Sequence, residues 1–223
     1  MRWREACNPD LAYPGPVPHL FQMSEDTQKP PGVILAGGRS RRMGGRDKAF
    51  VTLAGRPMIS HVIERFAPQL GHLAINSNGD PSLFITPQPI LTDSIDDHPG
   101  PLAGILAAMD WARTLKSDWV VTVATDTPFL PLNLVDRLIR AQNASRAPIV
   151  LAETPSGVEP VVGLWYTQLA NPLRGSIQTG TRKVTDFTEE KDAVSAVFAA
   201  KDFFNVNTSE DLETAEARLR APD

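Results

Sequence analysis

The chain has 223 residues, of which 42% are hydrophobic and 22% charged, and its formal net charge is -4 at pH 7. This composition is typical of a globular domain, and the negative balance argues against a general binder of nucleic acid or of membrane surfaces. The single cysteine, Cys7, excludes an intrachain disulfide framework and a thiolate metal cluster. No apolar run approaches the roughly 18 residues of a membrane span, and the N-terminus lacks the order of a secretory signal, so we expect a cytoplasmic protein.

The first part of the chain differs from the rest in composition. Residues 1–31 hold six of the 20 prolines, and their apolar residues follow no period. We predict a disordered or loosely attached extension over residues 1–31 and a single domain over residues 32–223. Met23 is a second candidate start, and the sequence leaves the choice between Met1 and Met23 open.

A glycine-rich basic loop follows the first predicted strand, residues 33–36. Residues 37–48 contain four glycines and five arginine or lysine side chains. Glycine lets backbone N–H groups approach an anion closely, and the basic side chains supply the charge that phosphate oxygens need. Neither the P-loop spacing nor the G-x-G-x-x-G fingerprint is present. The stretch predicts a polyphosphate-binding loop, and the alternative is a flexible basic loop on the surface.

The remaining chain predicts strands that alternate with helices. Apolar residues recur at helical spacing at Met58, Ile59, Val62, Ile63, Phe66 and Leu70, at Leu102, Ile105, Leu106, Met109 and Leu115, and at Leu134, Val135, Leu138 and Ile139. Further strands are predicted at residues 72–75, 87–91, 119–123, 149–151, 161–165 and 194–198. Thr208 and Asp211 are placed to cap a last helix. This order indicates an α/β fold with a parallel sheet and right-handed crossovers.

Polar residues stand where successive predicted strands end. Asn76, Asp93 and Asp126 share this position with the glycine loop, and ligands of open α/β sheets bind at that edge. Asp126 is a candidate Mg²⁺ ligand because Mg²⁺ is held by one or two carboxylates together with substrate phosphates. The alternative for Asp126 is an Asx-turn that caps the next helix, and Asp93 is a weaker candidate for the same metal role.

The same residues support nucleotidyl transfer. Arg42 and Lys48 are placed to neutralise the charge on a triphosphate and on its departing pyrophosphate. An acceptor phosphate is ionised near neutral pH, so no general base is required. In agreement with this, we interpret all four histidines as structural or solvated: His19, His61, His72 and His98.

These motifs together resemble the signature of molybdenum cofactor guanylyltransferases, the MobA family. The resemblance covers residues 32–219 in the expected order and rests on segments 35–48, 55–57, 76–78, 93–94, 100–104, 126–128 and 205–208. It implies a Rossmann-like three-layer nucleotidyltransferase fold with a mostly parallel central sheet. It also implies a Mg²⁺-dependent transfer of GMP from GTP to the terminal phosphate of molybdopterin, with release of pyrophosphate.

The resemblance assigns roles to individual residues. The implied catalytic residues are Arg42, Lys48 and Asp126, and Asp126 would hold the metal. The implied nucleotide-binding residues, mainly within residues 32–130, are Leu35, Ala36, Gly37, Gly38, Lys48, Asn76, Asp93, Gly100, Gly104 and Asp126. The implied molybdopterin-binding residues, mainly within residues 150–210, are Arg42, Arg182, Lys183, Asn205 and Asn207.

Two positions depart from the pattern that the resemblance leads us to expect. Lys183 stands where arginine is expected, and Glu159-Pro160 stands in place of His-Pro. No role is assigned to Glu159, since a carboxylate supplies neither the ring nor the charge of histidine.

The expected partners are GTP and molybdopterin as substrates, together with hand-over proteins of molybdenum cofactor biosynthesis, and neither nucleic acid nor membrane. Two other functions compete with this one. The first is a cytidylyltransferase of the same superfamily, against which the pair Gly37-Gly38 argues, because cytidylyl relatives more often have Ala-Gly there. The second is a nucleotide-binding module without turnover, against which the presence of Arg42, Lys48 and Asp126 argues.

Overall fold

The computed structural model describes residues 29–37, 48–95 and 100–220. Its strands are β1 (Gly32–Leu35), β2 (Thr52–Leu53), β3 (Arg56–Pro57), β4 (Leu73–Asn76), β5 (Ile90–Leu91), β6 (Trp119–Ala124), β7 (Ile149–Thr154), β8 (Gly157–Tyr166) and β9 (Val194–Val197). Its α-helices are α1 (Met58–Phe66), α2 (Pro101–Thr114), α3 (Leu134–Ser145), α4 (Ala170–Gln178), α5 (Val184–Glu190) and α6 (Ser209–Arg220). The segment 1–28, the loop residues 38–47, residues 96–99 and the last three residues lie outside the description.

Seven strands form the central sheet in the order β5-β4-β1-β6-β8-β7-β9. Strands β5, β4, β1 and β6 are parallel to one another, and β9 is parallel to β7. Strand β8 is antiparallel to both of its neighbours, β6 and β7. The prediction of a mostly parallel sheet is therefore confirmed, with β8 as the reversed strand.

Helices cover both faces of this sheet because successive side chains of a strand point to opposite sides. Ile34 of β1 packs in one apolar cluster with buried residues of α1 and α3. Val33 and Leu35 pack in a second cluster with buried residues of α2, α4 and α5. Strand β1 is buried at all four positions, as expected of a central strand covered on both faces. The three-layer prediction is thus confirmed.

The short strands β2 and β3 form a hairpin beside the main sheet. Its turn residues, Ala54 and Gly55, have φ of 48° and 81°, the left-handed conformation that a two-residue hairpin turn requires. The second strand of the hairpin, β3, follows this turn directly. His61 is buried, and its Nε2 lies 2.9 Å from the carbonyl oxygen of Leu53, in agreement with the structural interpretation of this histidine.

Three details of the predicted elements were wrong. The helix predicted to reach Leu70 ends at Phe66, and a short 3-10 helix with Pro68 follows, since proline interrupts helical hydrogen bonding. Leu115, predicted to face the core, follows the last residue of α2 and is 37% exposed. Of the apolar residues 87–91, only Ile90–Leu91 forms a strand.

The ends of the domain also contribute contacts. Pro30 and Pro31, which the sequence analysis placed in the extension, are buried, and their carbonyl oxygens accept hydrogen bonds from Gly71 and Val121 at 3.2 and 3.0 Å. The packed domain therefore already includes these two prolines. At the other end, Asp211 Oδ2 accepts from the N–H of Thr208 at 2.9 Å, and Thr208 Oγ1 accepts from the N–H of Asp211 at 3.1 Å. The predicted capping pair of α6 is thus confirmed.

Within the described residues, no helix has both the length and the apolar character needed to cross a membrane.

Candidate active site

The predicted phosphate loop leaves the sheet between the ends of β4 and β6. The N–H of Ala36 donates to the carbonyl oxygen of Asn76 at 2.8 Å. On the other side, the N–H and the hydroxyl of Thr125 both donate to the carbonyl oxygen of Leu35, at 3.2 and 2.8 Å. Leu35 and Ala36 are buried and Gly37 is exposed. The chain is therefore held rigidly up to the point where Gly37 emerges at the carboxyl edge of the sheet.

A network of two asparagines and an aspartate lies beside this point. The side-chain amide of Asn76, which is 3% exposed, donates to Asp93 Oδ1 at 3.0 Å and to the carbonyl oxygen of Leu91 at 3.3 Å. The amide of Asn78 donates to Asp93 Oδ2 at 2.6 Å, and its Oδ1 accepts from the N–H of Asp93 at 2.9 Å. Because both carboxylate oxygens already accept from amides, Asp93 is suited to hydrogen bonding with a ligand more than to holding a metal ion.

Asn78 belongs to the site, although the sequence analysis gave it no role of its own. Its position two residues after Asn76 is the signal that predicts it. Asn78 lies in a bend that follows the end of β4. Both amides reach the carboxylate of Asp93.

Gly104, in the first turns of α2, lies against the same network. A Cβ on Gly104 would stand 2.6 Å from Asn76 Oδ1 and 3.2 Å from a methyl carbon of Leu35. The Asn76 amide takes the space that a side chain at position 104 would need. The predicted contact of Gly104 with a nucleotide stays a prediction. Gly100 precedes Pro101, the first residue of α2. Because Gly104 lies against Leu35 and Asn76, the last residues of β1 and β4, the start of α2 lies at the carboxyl edge of these strands. Free N–H groups at the start of a helix favour anions.

Asp126 follows β6 at the same edge of the sheet. It is half-buried, and its carbonyl oxygen accepts from the N–H of Val206 at 2.9 Å. Glu159 lies near the start of β8, and the negative charge of Asp126 acts on its carboxyl group. Burial first, and the Asp126 charge second, raise the pKa of Glu159, whereas a hydrogen bond from the Asn205 side chain opposes the shift. The structure thus brings Asp126, Glu159 and Asn205 together, and Glu159 is the member that the sequence analysis missed.

Of the remaining residues predicted to bind molybdopterin, Arg182 and Asn207 have local hydrogen bonds. Arg182 is exposed, and its Nη1 donates to the carbonyl oxygens of Ile177 and Thr181, both at 3.0 Å. Lys183 is exposed and immediately precedes α5. The N–H of Asn207 donates to Asp211 Oδ2 at 2.9 Å, as part of the start of α6. These contacts assign none of the residues a ligand, and their predicted roles stay predictions.

The predicted loop residues Gly38 and Arg42 lie outside the described residues. Lys48 begins a short 3-10 helix, Lys48–Phe50. Their predicted roles stay predictions.

The carboxylates at this site match the partial set of protein ligands that Mg²⁺ usually takes. No group of three or more His, Cys, Asp or Glu side chains in the described segments is placed to hold a metal ion. Mg²⁺ usually takes one or two carboxylates and completes its shell with water and substrate phosphates. Asp126, half-buried at a strand end with Glu159 close by, offers that partial set of hard oxygen ligands. An ion here would depend on phosphate oxygens of the substrate.

Fold and site together define an α/β protein with polar and acidic side chains gathered at the carboxyl edge of a mostly parallel sheet. The chain belongs to the family of MobA-like NTP transferase domains, whose family model matches residues 32–194.

Named relatives share much of the sequence. A molybdenum cofactor guanylyltransferase from Bradyrhizobium sp. (strain ORS 278) is 42% identical over 205 residues, which cover 89% of this chain and 96% of that relative. A molybdenum cofactor guanylyltransferase from Cereibacter sphaeroides is 43% identical over 192 residues, covering 85% of this chain and 96% of the relative. The match therefore extends over nearly the whole length of both relatives.

Solved structures share the fold. Molybdopterin-guanine dinucleotide biosynthesis protein A from Archaeoglobus fulgidus aligns with a TM-score of 0.69 at 23% identity, over 85% of this chain and 98% of that one. A CMP:2-keto-3-deoxy-manno-octonic acid synthetase complexed with CTP aligns with a TM-score of 0.64 at 13% identity, over 86% of this chain and 98% of that one. At these identities the likeness concerns the fold alone.

Proposed function

We propose that this protein transfers GMP from GTP to the terminal phosphate of molybdopterin and releases pyrophosphate, with Mg²⁺ as the metal. The names and near full-length coverage of the guanylyltransferase relatives support the reaction class and the substrates. The observation that carries the proposal is the order of groups along one sheet edge. Asn76 ends β4, Asp93 follows β5, the loop follows β1, Asp126 follows β6, and Glu159 lies in β8.

This order separates a nucleotide side from an acceptor side. Neighbouring strands are about 4.8 Å apart, so the edge from β4 to β8 spans roughly 14 Å. The amide-held carboxylate of Asp93 accepts hydrogen bonds from the nucleoside at one end. Asn205 takes the acceptor substrate at the other end. Asp126 lies between them, where the α-phosphate of the nucleotide and the acceptor phosphate must meet.

In the reaction, an oxygen of the acceptor phosphate attacks the α-phosphorus of GTP. One oxygen–phosphorus bond forms as the bond to the bridging oxygen breaks, and pyrophosphate departs with that oxygen. The acceptor phosphate is already ionised, so the chain need not supply a base. Positioning and charge neutralisation account for the catalysis. Bound Mg²⁺ supplies charge neutralisation at the phosphate oxygens. Arg42 and Lys48 add positive charge from the glycine loop.

The direct test is pyrophosphate release with GTP, Mg²⁺ and molybdopterin. We expect release with GTP and none when the acceptor is omitted. Asp126→Ala is expected to abolish release while its circular-dichroism spectrum stays that of the folded protein. Retained turnover in that variant would remove the metal assignment. The matched control is Asp136→Ala, which changes an aspartate in the first turn of α3 and is expected to keep full turnover.

The choice of nucleotide is tested by thermal shift in the presence of Mg²⁺. GTP is expected to raise the unfolding temperature more than CTP or ATP does, because a ligand that binds the folded state stabilises it according to its affinity. A larger shift with CTP would identify a cytidylyltransferase instead.

A further inference from the structure

Helix α6 packs against the two chain segments that carry Asp126 and Asn205. A third apolar cluster joins the buried Ala215 of α6 with Phe129 and Val206. Phe129 comes shortly after Asp126 in the chain, and Val206 directly follows Asn205. The N–H of Val206 also donates to the carbonyl oxygen of Asp126 at 2.9 Å. The segment after β6 and the segment before α6 are therefore held against each other, and α6 supports both.

Arg218, in the last turn of α6, contacts both of these segments with one side chain. Its guanidinium carbon lies 3.9 Å from the centroid of the Phe129 ring, which is the geometry of a cation–π contact. Its Nη1 donates to the carbonyl oxygen of Lys201, which belongs to the short 3-10 helix Ala200–Phe203. A guanidinium group is planar and carries its donors around the edge, so it can stack by its face and donate from its edge at the same time.

The ring of Phe129 also lies against Phe204, the residue before Asn205. The centroids of these two rings are 6.3 Å apart. Asn205 thus lies between Phe204, which Phe129 contacts, and Val206, which is fully buried and hydrogen-bonded to Asp126. The segment 200–207 is therefore held near its start by the bond from Arg218, and next to Asn205 by two contacts with the turn after Asp126.

The turn after Asp126 has further support of its own. Arg65 Nε, from α1, donates to the carbonyl oxygen of Leu130 at 2.5 Å. The hydroxyl of Thr127 donates to the carbonyl oxygen of Ala124, the last residue of β6, at 2.9 Å. Loss of the Arg218 side chain is therefore expected to loosen the segment 200–207 more than the turn that follows Asp126.

We propose that Arg218 is a positioning residue that fixes the segment 200–207, and with it Asn205, against the turn after Asp126. This rests on the function proposed above, in which Asn205 contacts the acceptor and Asp126 lies where the two phosphates meet. A shift of Asn205 relative to Asp126 misplaces the acceptor, so binding of the acceptor depends on Arg218. Binding of GTP does not, because Asn76 and Asp93 belong to the end of the sheet edge formed by β4 and β5.

The test uses two readouts on the full chain. In Arg218→Ala, hydrogen–deuterium exchange read by mass spectrometry is expected to be about tenfold faster over residues 200–207 and unchanged within α2. In the pyrophosphate assay the same variant is expected to raise the KM for molybdopterin about fivefold and to leave the KM for GTP within about twofold. Arg218→Lys, whose ammonium group can still lie over the Phe129 ring, is expected to restore the KM for molybdopterin to within about twofold of the parent value.

Arg220→Ala is the matched control, because Arg220 lies in the same last turn of α6, is exposed and pairs with Glu216 at 2.8 Å. It is expected to leave the exchange and both KM values unchanged. Parental exchange over residues 200–207 in Arg218→Ala, faster exchange throughout the domain, an equal rise in both KM values, or failure of Arg218→Lys to recover would each overturn the role of Arg218. A parent protein that releases no pyrophosphate would overturn the proposed function instead. Because the exchange measurement requires no turnover, the two failures are distinguishable.

Discussion

The contact between Gly104 and Asn76 gives the sharpest test of how the nucleotide side is built. In Gly104→Ala the new Cβ would lie 2.6 Å from Asn76 Oδ1, and the amide must move about 0.8 Å to reach an ordinary contact of 3.4 Å. That amide is held by bonds of 3.0 Å to Asp93 and 3.3 Å to Leu91. A displacement of about 0.8 Å is enough to lengthen the 3.0 Å distance between the Asn76 amide nitrogen and Asp93 Oδ1 beyond hydrogen-bonding range. The link between Asn76 and Asp93 is therefore expected to break.

The expected change in stability is small and the expected change in binding is large. Forcing a methyl group into a packed site costs about 1–3 kcal/mol, whereas alanine gains about 1 kcal/mol over glycine inside a helix. The net loss in the free energy of unfolding is therefore about 0–2 kcal/mol. A hydrogen bond to a charged group contributes about 1.5–3 kcal/mol. If Asp93 needs that bond to keep its orientation, the affinity for GTP falls about 10- to 100-fold.

Calorimetric titration of GTP in the presence of Mg²⁺ measures this affinity without requiring turnover. Gly175→Ala is the matched control: Gly175 lies within α4, and a Cβ there would meet no atom within 4 Å. This control is expected to bind GTP as the parent does and to unfold about 2–4 °C higher. Parental GTP affinity in Gly104→Ala, or an equal loss of affinity in both variants, would refute the role given to the Asn76–Asp93 link.

Three further variants test other parts of the structure. Asn78→Ala is expected to raise the KM for GTP about tenfold in the pyrophosphate assay, because Asn78 holds one oxygen of Asp93. Since Asn78 is exposed, the free energy of unfolding is expected to fall by less than about 1 kcal/mol. An unchanged KM would contradict the prediction. Trp165→Phe is expected to cost about 1–3 kcal/mol in urea unfolding, because the indole N–H donates to the Thr122 hydroxyl at 2.7 Å in the buried sheet; a loss below about 0.5 kcal/mol would count against it. Burial raises the pKa of Glu159 above its ordinary value of 4.5, so the folded state binds this proton more tightly than the unfolded state does. The resulting stabilisation of the folded state is fully present below about pH 4.5 and is lost as the pH rises through the raised pKa. The stability of Glu159→Gln relative to the parent is therefore expected to increase over that window in urea unfolding, and a constant difference would refute the prediction.

Much of the sheet could be predicted because its strands are short apolar runs ended by polar residues. Strand β6 is buried along most of its length, and Asp126 follows it closely in the chain. Such local signals do not depend on the tertiary structure. The end of α1 could also be predicted from the sequence, since Pro68 interrupts the apolar period that continues to Leu70.

The position of Glu159 near Asp126 could not be predicted in this way because it depends on which strands become neighbours. The apolar pattern of residues 161–165 predicts a strand, but not its direction or its place between β6 and β7. The contact that requires glycine at position 104 could not be predicted for a similar reason. It depends on the side chain of Asn76, which comes from another strand.

The reversal of β8 brings residues of two different structural origins to one edge of the sheet. In a sheet whose strands all ran in one direction, every group at the carboxyl edge would come from the end of a strand. Asn76 and Asp93 follow this rule, since Asn76 is the last residue of β4 and Asp93 comes two residues after the end of β5. Because β8 runs the other way, the same edge also receives a residue from the start of a strand, Glu159. Under the function proposed above, we therefore expect substitutions near the start of β8 to change binding of the acceptor while Asn76 and Asp93 stay in place.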